Sequence, residues 1–180
     1  MKSRALVIGL LATGLCGVAH AQEQGFYAGS GAGIYYVDID GLNFDEQAPT
    51  LRLFGGYQLN QYVSFEGGFT NLFEASGDVL GVDVDMDGTA WDVSVRPSMP
   101  LGDNLTAYAI LGWTEYDLEF SASAGGTSAS ASGSDGDIHY GLGGAFNIND
   151  SWNVRGEWTT VDVDEVDFGM FSLSAVYNFR

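Results

Sequence analysis

From Phe26 to Phe179 the chain keeps to one rule: apolar side chains recur at every second position, over eight segments. A period of two belongs to the β-strand, whose successive side chains leave opposite faces. No window shows the spacing of an amphipathic helix. In the first segment Phe26, Ala28, Ala32, Ile34 and Tyr36 share a face, and Tyr27, Gly29, Gly31, Gly33 and Tyr35 share the other. Seven further segments follow, among them Leu51–Leu59, Leu105–Thr114 and Phe171–Phe179. Each has about ten residues, the length a tilted strand needs to cross a bilayer.

The connections alternate as well. Three are short and carry turn formers: Asn60-Gln61, Gly102-Asp103-Asn104 and Asn149-Asp150. The others read as longer acidic loops. They hold Asp38, Asp40, Asp45 and Glu46, then Glu74 to Asp87, then the Ser/Ala/Gly stretch 121–136, then Asp162 to Asp167. Short turns at one end and long loops at the other suit an up-and-down transmembrane barrel.

The first residues read as a targeting leader rather than structure. Lys2 and Arg4 precede an apolar run, and Ala19-His20-Ala21 ends it with a small-x-small cleavage pattern. The reading divides the chain into a signal peptide, 1–21, and a β-barrel domain, 22–180. The single cysteine, Cys16, leaves with the leader, so no disulfide is expected. The formal net charge is −18, and loss of Lys2 and Arg4 makes it more negative still. That excludes nucleic acid as a partner, since phosphates demand Lys and Arg. With 46% hydrophobic and 13% aromatic residues, the charge does not signal disorder.

A soluble barrel would turn its apolar face inward. Here that face sets aromatics near strand ends: Phe26, Tyr36, Tyr57, Trp91, Trp113, Tyr140, Trp152, Trp158, Tyr177 and Phe179. Two aromatic girdles at two interfaces are the signature of lipid outside. The opposite face is expected to mix Gly, Ser, Thr and Asn with a few charges. Arg52, Arg96 and Arg155 fall on it, as do Glu66 and Glu157, whereas Asp92 sits toward a strand end. Charges in a narrow interior require partners. The expectation is a lumen ion network of Arg52, Glu66, Arg96, Arg155 and Glu157.

These residues resemble the transmembrane domain of the OmpA family. Phe54-Gly55-Gly56-Tyr57-Gln58-Leu59-Asn60 followed by Tyr62-Val63-Ser64-Phe65-Glu66 is similar to its second hairpin. Arg96, Pro100, Asp103, Leu105 and Tyr108 fit its next turn. Arg155-Gly156-Glu157-Trp158 and Gly169–Leu173, ending at Tyr177 and Phe179, fit its last strands. The resemblance implies an eight-stranded barrel in the outer membrane of a Gram-negative bacterium. It also implies a lumen gate carried over to Glu66, Arg96 and Arg155. Ala145 and Ile110 stand where that family has a second gating Glu and a lumen Arg, and Arg52 is additional. The family's peptidoglycan-binding domain is not part of this resemblance. Similar barrels end on an aromatic that the barrel-assembly machinery reads, and here Phe179 precedes Arg180.

Two motifs point to other chemistry. Asp83-Val84-Asp85-Met86-Asp87-Gly88 opens like a calcium loop, but Ser94 stands where the closing acid belongs. His139 lies near Ser132, Ser134 and Asp137, a set that would suit a lipid-modifying hydrolase. It reads better as a wall residue. No pattern points to a cofactor or a dedicated metal site. The expected function is non-enzymatic: a structural or surface-recognition barrel with a plugged, ion-paired lumen. A small diffusion pore and an outer-membrane lipid hydrolase are the alternatives. The expected partners are lipopolysaccharide, bridged through Mg²⁺ or Ca²⁺ at the acidic rim, and the assembly machinery. The expected state is a monomer.

Overall fold

The computed structural model describes the backbone of residues 24–39, 45–79, 82–124, 127–163 and 166–179. It describes side chains over 24–36, 47–74, 87–118, 132–161 and 168–179. The expected signal peptide, 1–21, lies outside these residues. The chain forms eight antiparallel strands: β1 (Gly25–Ile39), β2 (Asp45–Asn60), β3 (Val63–Val79), β4 (Val82–Pro100), β5 (Leu105–Ala124), β6 (Thr127–Asn147), β7 (Trp152–Val163) and β8 (Val166–Asn178). Each pairs with its chain neighbours, and β8 pairs with β1, so the sheet closes with no edge around the ring. Closure satisfies the backbone polar groups that lipid cannot.

The register sets the tilt. Followed sideways from Tyr27, it runs through Gly56, Glu66, Ser94, Gly112, His139, Val161 and Phe168, and returns to β1 at Val37. That is a stagger of ten positions (37 − 27) per circuit, and it obliges the strands to lean. Side-chain hydrogen bonds tighten two of the short turns. Asn60 Oδ1 accepts from the Tyr62 N–H at 2.8 Å, and Asn149 Oδ1 accepts from the Ser151 and Trp152 N–H groups at 2.9 Å each.

At the other end the structure departs from the expected loops. The strands have 12 to 21 residues, and the ladder runs through most of the acidic and Ser/Ala/Gly stretches. Residues 121–124 and 127–136 are strand, as are Asp83 to Gly88. The reason is visible in the alternation of Val84 and Met86 with Asp, and of Ala with Ser, which suits an extended pair standing in water. Asp83–Gly88 pairs on both sides, with β3 and with β5, so it does not form a calcium loop.

The apolar face points outward. Phe26, Leu142 and Leu173 are each more than 60% exposed, and Trp91, Trp113, Trp152, Trp158, Tyr177 and Phe179 are exposed too. Tyr57 is half-buried, its ring edge-to-face with Phe26 at 4.9 Å. Trp152, Tyr177 and Phe179 continue this lower belt, with ring centroids 5.1 Å apart at each step. At the upper belt the Trp158 Nε1–H donates to Tyr36 Oη at 3.0 Å. The Tyr36 ring lies over Gly169, where any Cβ would overlap it.

Candidate functional site: the lumen

Strand alternation turns Arg52 of β2, Glu66 of β3, Asp92 and Arg96 of β4, and Arg155 and Glu157 of β7 inward. All are buried except Asp92, which is half-buried. Glu66 is the hub on one side. Its Oε1 lies 2.5 Å from Arg96 Nη2 and 3.3 Å from Arg52 Nη2, and its Oε2 lies 2.8 Å from Arg155 Nη1. Glu157 is the hub on the other. Its Oε1 lies 2.5 Å from Arg96 Nη1 and accepts the Tyr108 hydroxyl at 2.7 Å, while its Oε2 lies 3.5 Å from Arg52 Nη1. Arg52 Nη2 donates to both oxygens of Asp92, at 2.9 and 2.7 Å. Three guanidinium groups thus face three carboxylates, and the cluster is electrically balanced. Balance matters because desolvating an uncompensated ion costs several kcal/mol.

Asp92 belongs to this cluster, contrary to its reading as a strand-end residue. Its place two positions from Ser94 and four from Arg96 on the same face was the available signal. The second departure concerns the lining, which is not merely small and polar. Tyr27, Phe54 and Val176 form one buried apolar group, and Tyr35, Ala48 and Leu72 form another, with Leu118, Phe168 and Met170 packed on it. Tyr108 and Ile110 are buried as well. Among the described residues, the Nε–H groups of Arg52, Arg96 and Arg155 find no hydrogen-bond partner. Aromatic faces flank these cations: Arg155 lies 4.6 Å from the Tyr27 ring, Arg52 lies 5.3 Å from Phe54, and Arg96 lies 5.5 Å from Tyr108. The glycines make room for the plates. A Cβ on Gly143 would stand 2.5 Å from Tyr108 Cε2. Gly143→Val is therefore expected to drive the Tyr108 hydroxyl off Glu157 and cost about 1–3 kcal/mol, read as a lower denaturation midpoint.

Along β2 the lumen runs upward from the short turns through Gln58, Phe54, Arg52, Thr50 and Ala48, so the charged layer has an apolar collar above it. Tyr35 spans that collar. It stacks on Phe168 at 5.6 Å, and its hydroxyl donates to the Phe73 carbonyl at 2.9 Å. Below the charges a polar cup opens toward the short turns, lined by Gln58, Ser64, Asn147, Asn153 and Asn178 and roofed by Arg96 and Arg155. Ala145 and Ile110 add no charge.

His139 is buried, with its ring beside Gly112. Asp137 is engaged elsewhere, accepting the Tyr116 hydroxyl at 2.9 Å. Above the upper belt, burial and this carboxylate push the Tyr116 phenol up to about 12. Ser132 stands seven positions from His139 on the same strand, roughly 23 Å away at 3.3 Å per residue, so these residues form no triad.

A family model described as the outer membrane protein beta-barrel domain matches residues 8–179. Outer membrane protein A of Yersinia pseudotuberculosis is 26% identical over 199 aligned positions, covering 99% of this chain and 56% of that protein. The chain thus spans little more than half the length of that curated relative. Among solved structures, Ail of Yersinia pestis, in complex with the heparin analogue sucrose octasulfate, superposes with a TM-score of 0.64 at 24% identity, covering 86% of this chain and 99% of Ail. Neisserial surface protein A matches with a TM-score of 0.64 at 15% identity, covering 87% of this chain and 99% of its own. OprG of Pseudomonas aeruginosa matches with a TM-score of 0.59 at 13% identity, covering 87% and 96%. At these identities the solved structures speak for the fold alone. Closure in eight strands, the outward apolar face and the match along nearly the whole length lead to one assignment: the chain belongs to the outer membrane protein beta-barrel domain family, as an OmpA-like barrel of the Gram-negative outer membrane.

Proposed function

We infer that the protein is a non-enzymatic structural and surface-recognition barrel whose lumen is plugged. The observation that carries this reading is the balanced cluster of Arg52, Arg96, Arg155, Glu66, Glu157 and Asp92, packed between aromatic plates. A conducting path would have to part these pairs and displace the Tyr35 collar above them. A signal peptide at 1–21, a monomeric state and delivery by the assembly machinery through the Phe179 end belong to the same reading. Phe179 holds its place in the ring through its N–H, which donates to the Phe26 carbonyl at 2.9 Å. Lipopolysaccharide is the surrounding lipid, with divalent cations bridging its phosphates to the acidic rim. A polysulfated partner such as the one crystallised with Ail is disfavoured here, because the net charge is −18 and the described arginines face inward. The second reading, a small diffusion pore, has the polar cup below Arg96 and Arg155 in its favour.

Planar-bilayer recording separates the two. The wild-type protein is expected to show no stable openings. Arg96→Ala combined with Tyr35→Ala removes both the charged layer and the collar, and is expected to open. Stable single-channel steps from the wild type would establish the pore and end the plug.

A further inference from the structure

The polar cup below the charged layer carries a sign that the layer as a whole does not. Arg96 and Arg155 line it together with neutral side chains, and among the described residues no carboxylate reaches it. In a chain of net charge −18 that is the reverse of what composition would place there. The cause is the order of charges along the strands. β4 and β7 each carry both signs on the lumen face. β7 rises from the short turns and brings Arg155 before Glu157, whereas β4 descends to them and brings Arg96 after Asp92. On both strands the arginine lies nearer the short turns. The six charges cancel in sum, but their positive end faces the cup.

The groups around the cup keep hydrogen-bonding capacity in hand. Arg96 and Arg155 are more than nine-tenths buried. Glu66 and Glu157 engage their Nη groups, and each Nε–H remains without a partner among the described residues. Asn153 is 3% exposed on the wall of the cup, and its Oδ1 has no donor among the described residues. Nothing bonded to that oxygen fixes the rotation of the amide, so Nδ2 can turn to a guest. Ala145 stands directly across from Arg155 on β6 and lines the cup with only a methyl group. An acidic side chain there would supply an internal counter-ion. The cup encloses about 30 Å³, room for one or two water-sized guests. Low-dielectric walls around charge of one sign concentrate the opposite ion. Asp103 and Asp150, in the turns at the mouth, are exposed, so water and salt screen them.

We propose that the cup is a binding site for one small inorganic anion of chloride size, which enters from the short turns and sits against Arg96 and Arg155 with the Asn153 and Asn147 amides beside it. The room excludes larger organic anions. The site rests on the plugged-lumen reading, because a parted cluster would not hold both arginines at the roof of the cup.

The test uses the full protein folded in nanodiscs of zwitterionic lipid, with chloride as the probe. The readout is the ³⁵Cl NMR linewidth in excess of that from empty nanodiscs. Saturable broadening is expected, reversed by bromide and indifferent to gluconate. Asn147→Asp changes charge but not shape on the half-buried wall of the cup. It should weaken binding at least tenfold, and Ala145→Glu should abolish it. Ser132→Asp makes the same change of net charge at the exposed far end and should leave binding unaltered. Heat-modifiable gel migration checks that each variant is folded. The bromide and gluconate arms need only the wild type, so the proposal is tested even if Ala145→Glu does not fold. Equal broadening by wild type and Asn147→Asp would mean diffuse association with the surface, and would overturn the site. So would the absence of saturable broadening, which would mean that the cup holds water alone. Planar-bilayer recording reads the plug separately: a silent wild type without a chloride signal would remove the anion site and leave the plug in place.

Discussion

Replacement of Arg96 by alanine is expected to destabilise the folded barrel by about 3–5 kcal/mol, the usual cost of stripping one partner from a buried ion pair. Arg96 is only 2% exposed and reaches both hubs, Glu66 and Glu157, at 2.5 Å. Without it the cluster holds three carboxylates against two guanidinium groups. Arg52 and Arg155 cannot divide themselves further, since Arg52 already binds Asp92 and Arg155 is set against Tyr27. The figure measures a stranded carboxylate, not the net worth of the network. Adding Glu157→Gln to Arg96→Ala should therefore recover part of the loss. Urea unfolding in lipid vesicles checks both variants. An unchanged midpoint for Arg96→Ala would mean that the surrounding pairs and water meet the demand of both hubs.

The second large effect concerns the outer wall. Leu142 is 64% exposed on the lipid face of β6, about midway between the belts, and pairs across with Ala109 and Trp158. Leu142→Arg is expected to cost about 2–4 kcal/mol, the range for a cation at the midplane of a membrane barrel. The same substitution at Phe146, nearer the short turns, should cost less because the side chain can reach water. Folding yield and unfolding midpoint in vesicles distinguish depth from a general intolerance of arginine. Equal penalties at the two positions would contradict the assigned bilayer span.

These two substitutions probe opposite sides of one wall, and the difference between the sides was legible early. A period of two divides every strand into two faces. Leu51, Leu53 and Leu59 cannot all face a narrow lumen, so Arg52 and Phe54 must. The same parity set Glu66, Arg96, Arg155 and Glu157 on one face without any knowledge of how the strands pair. The turns were legible too, because Asn60 and Asn149 act on neighbouring backbone.

What parity leaves open is which residues of different strands share a level. That is set by the ten-position stagger, a property of closure that no single strand carries. Closure brought Asp92 to Arg52, set Tyr108 and Tyr27 against the guanidinium groups, and gathered Tyr35, Leu72 and Phe168 into a collar. It also decided where the acidic stretches stop being loops, since a ladder continues as long as a partner strand lies alongside. By itself the sequence determined faces, turns and the sign of the charge. The tertiary structure alone decided partners and heights, because those depend on distances between residues far apart in the chain.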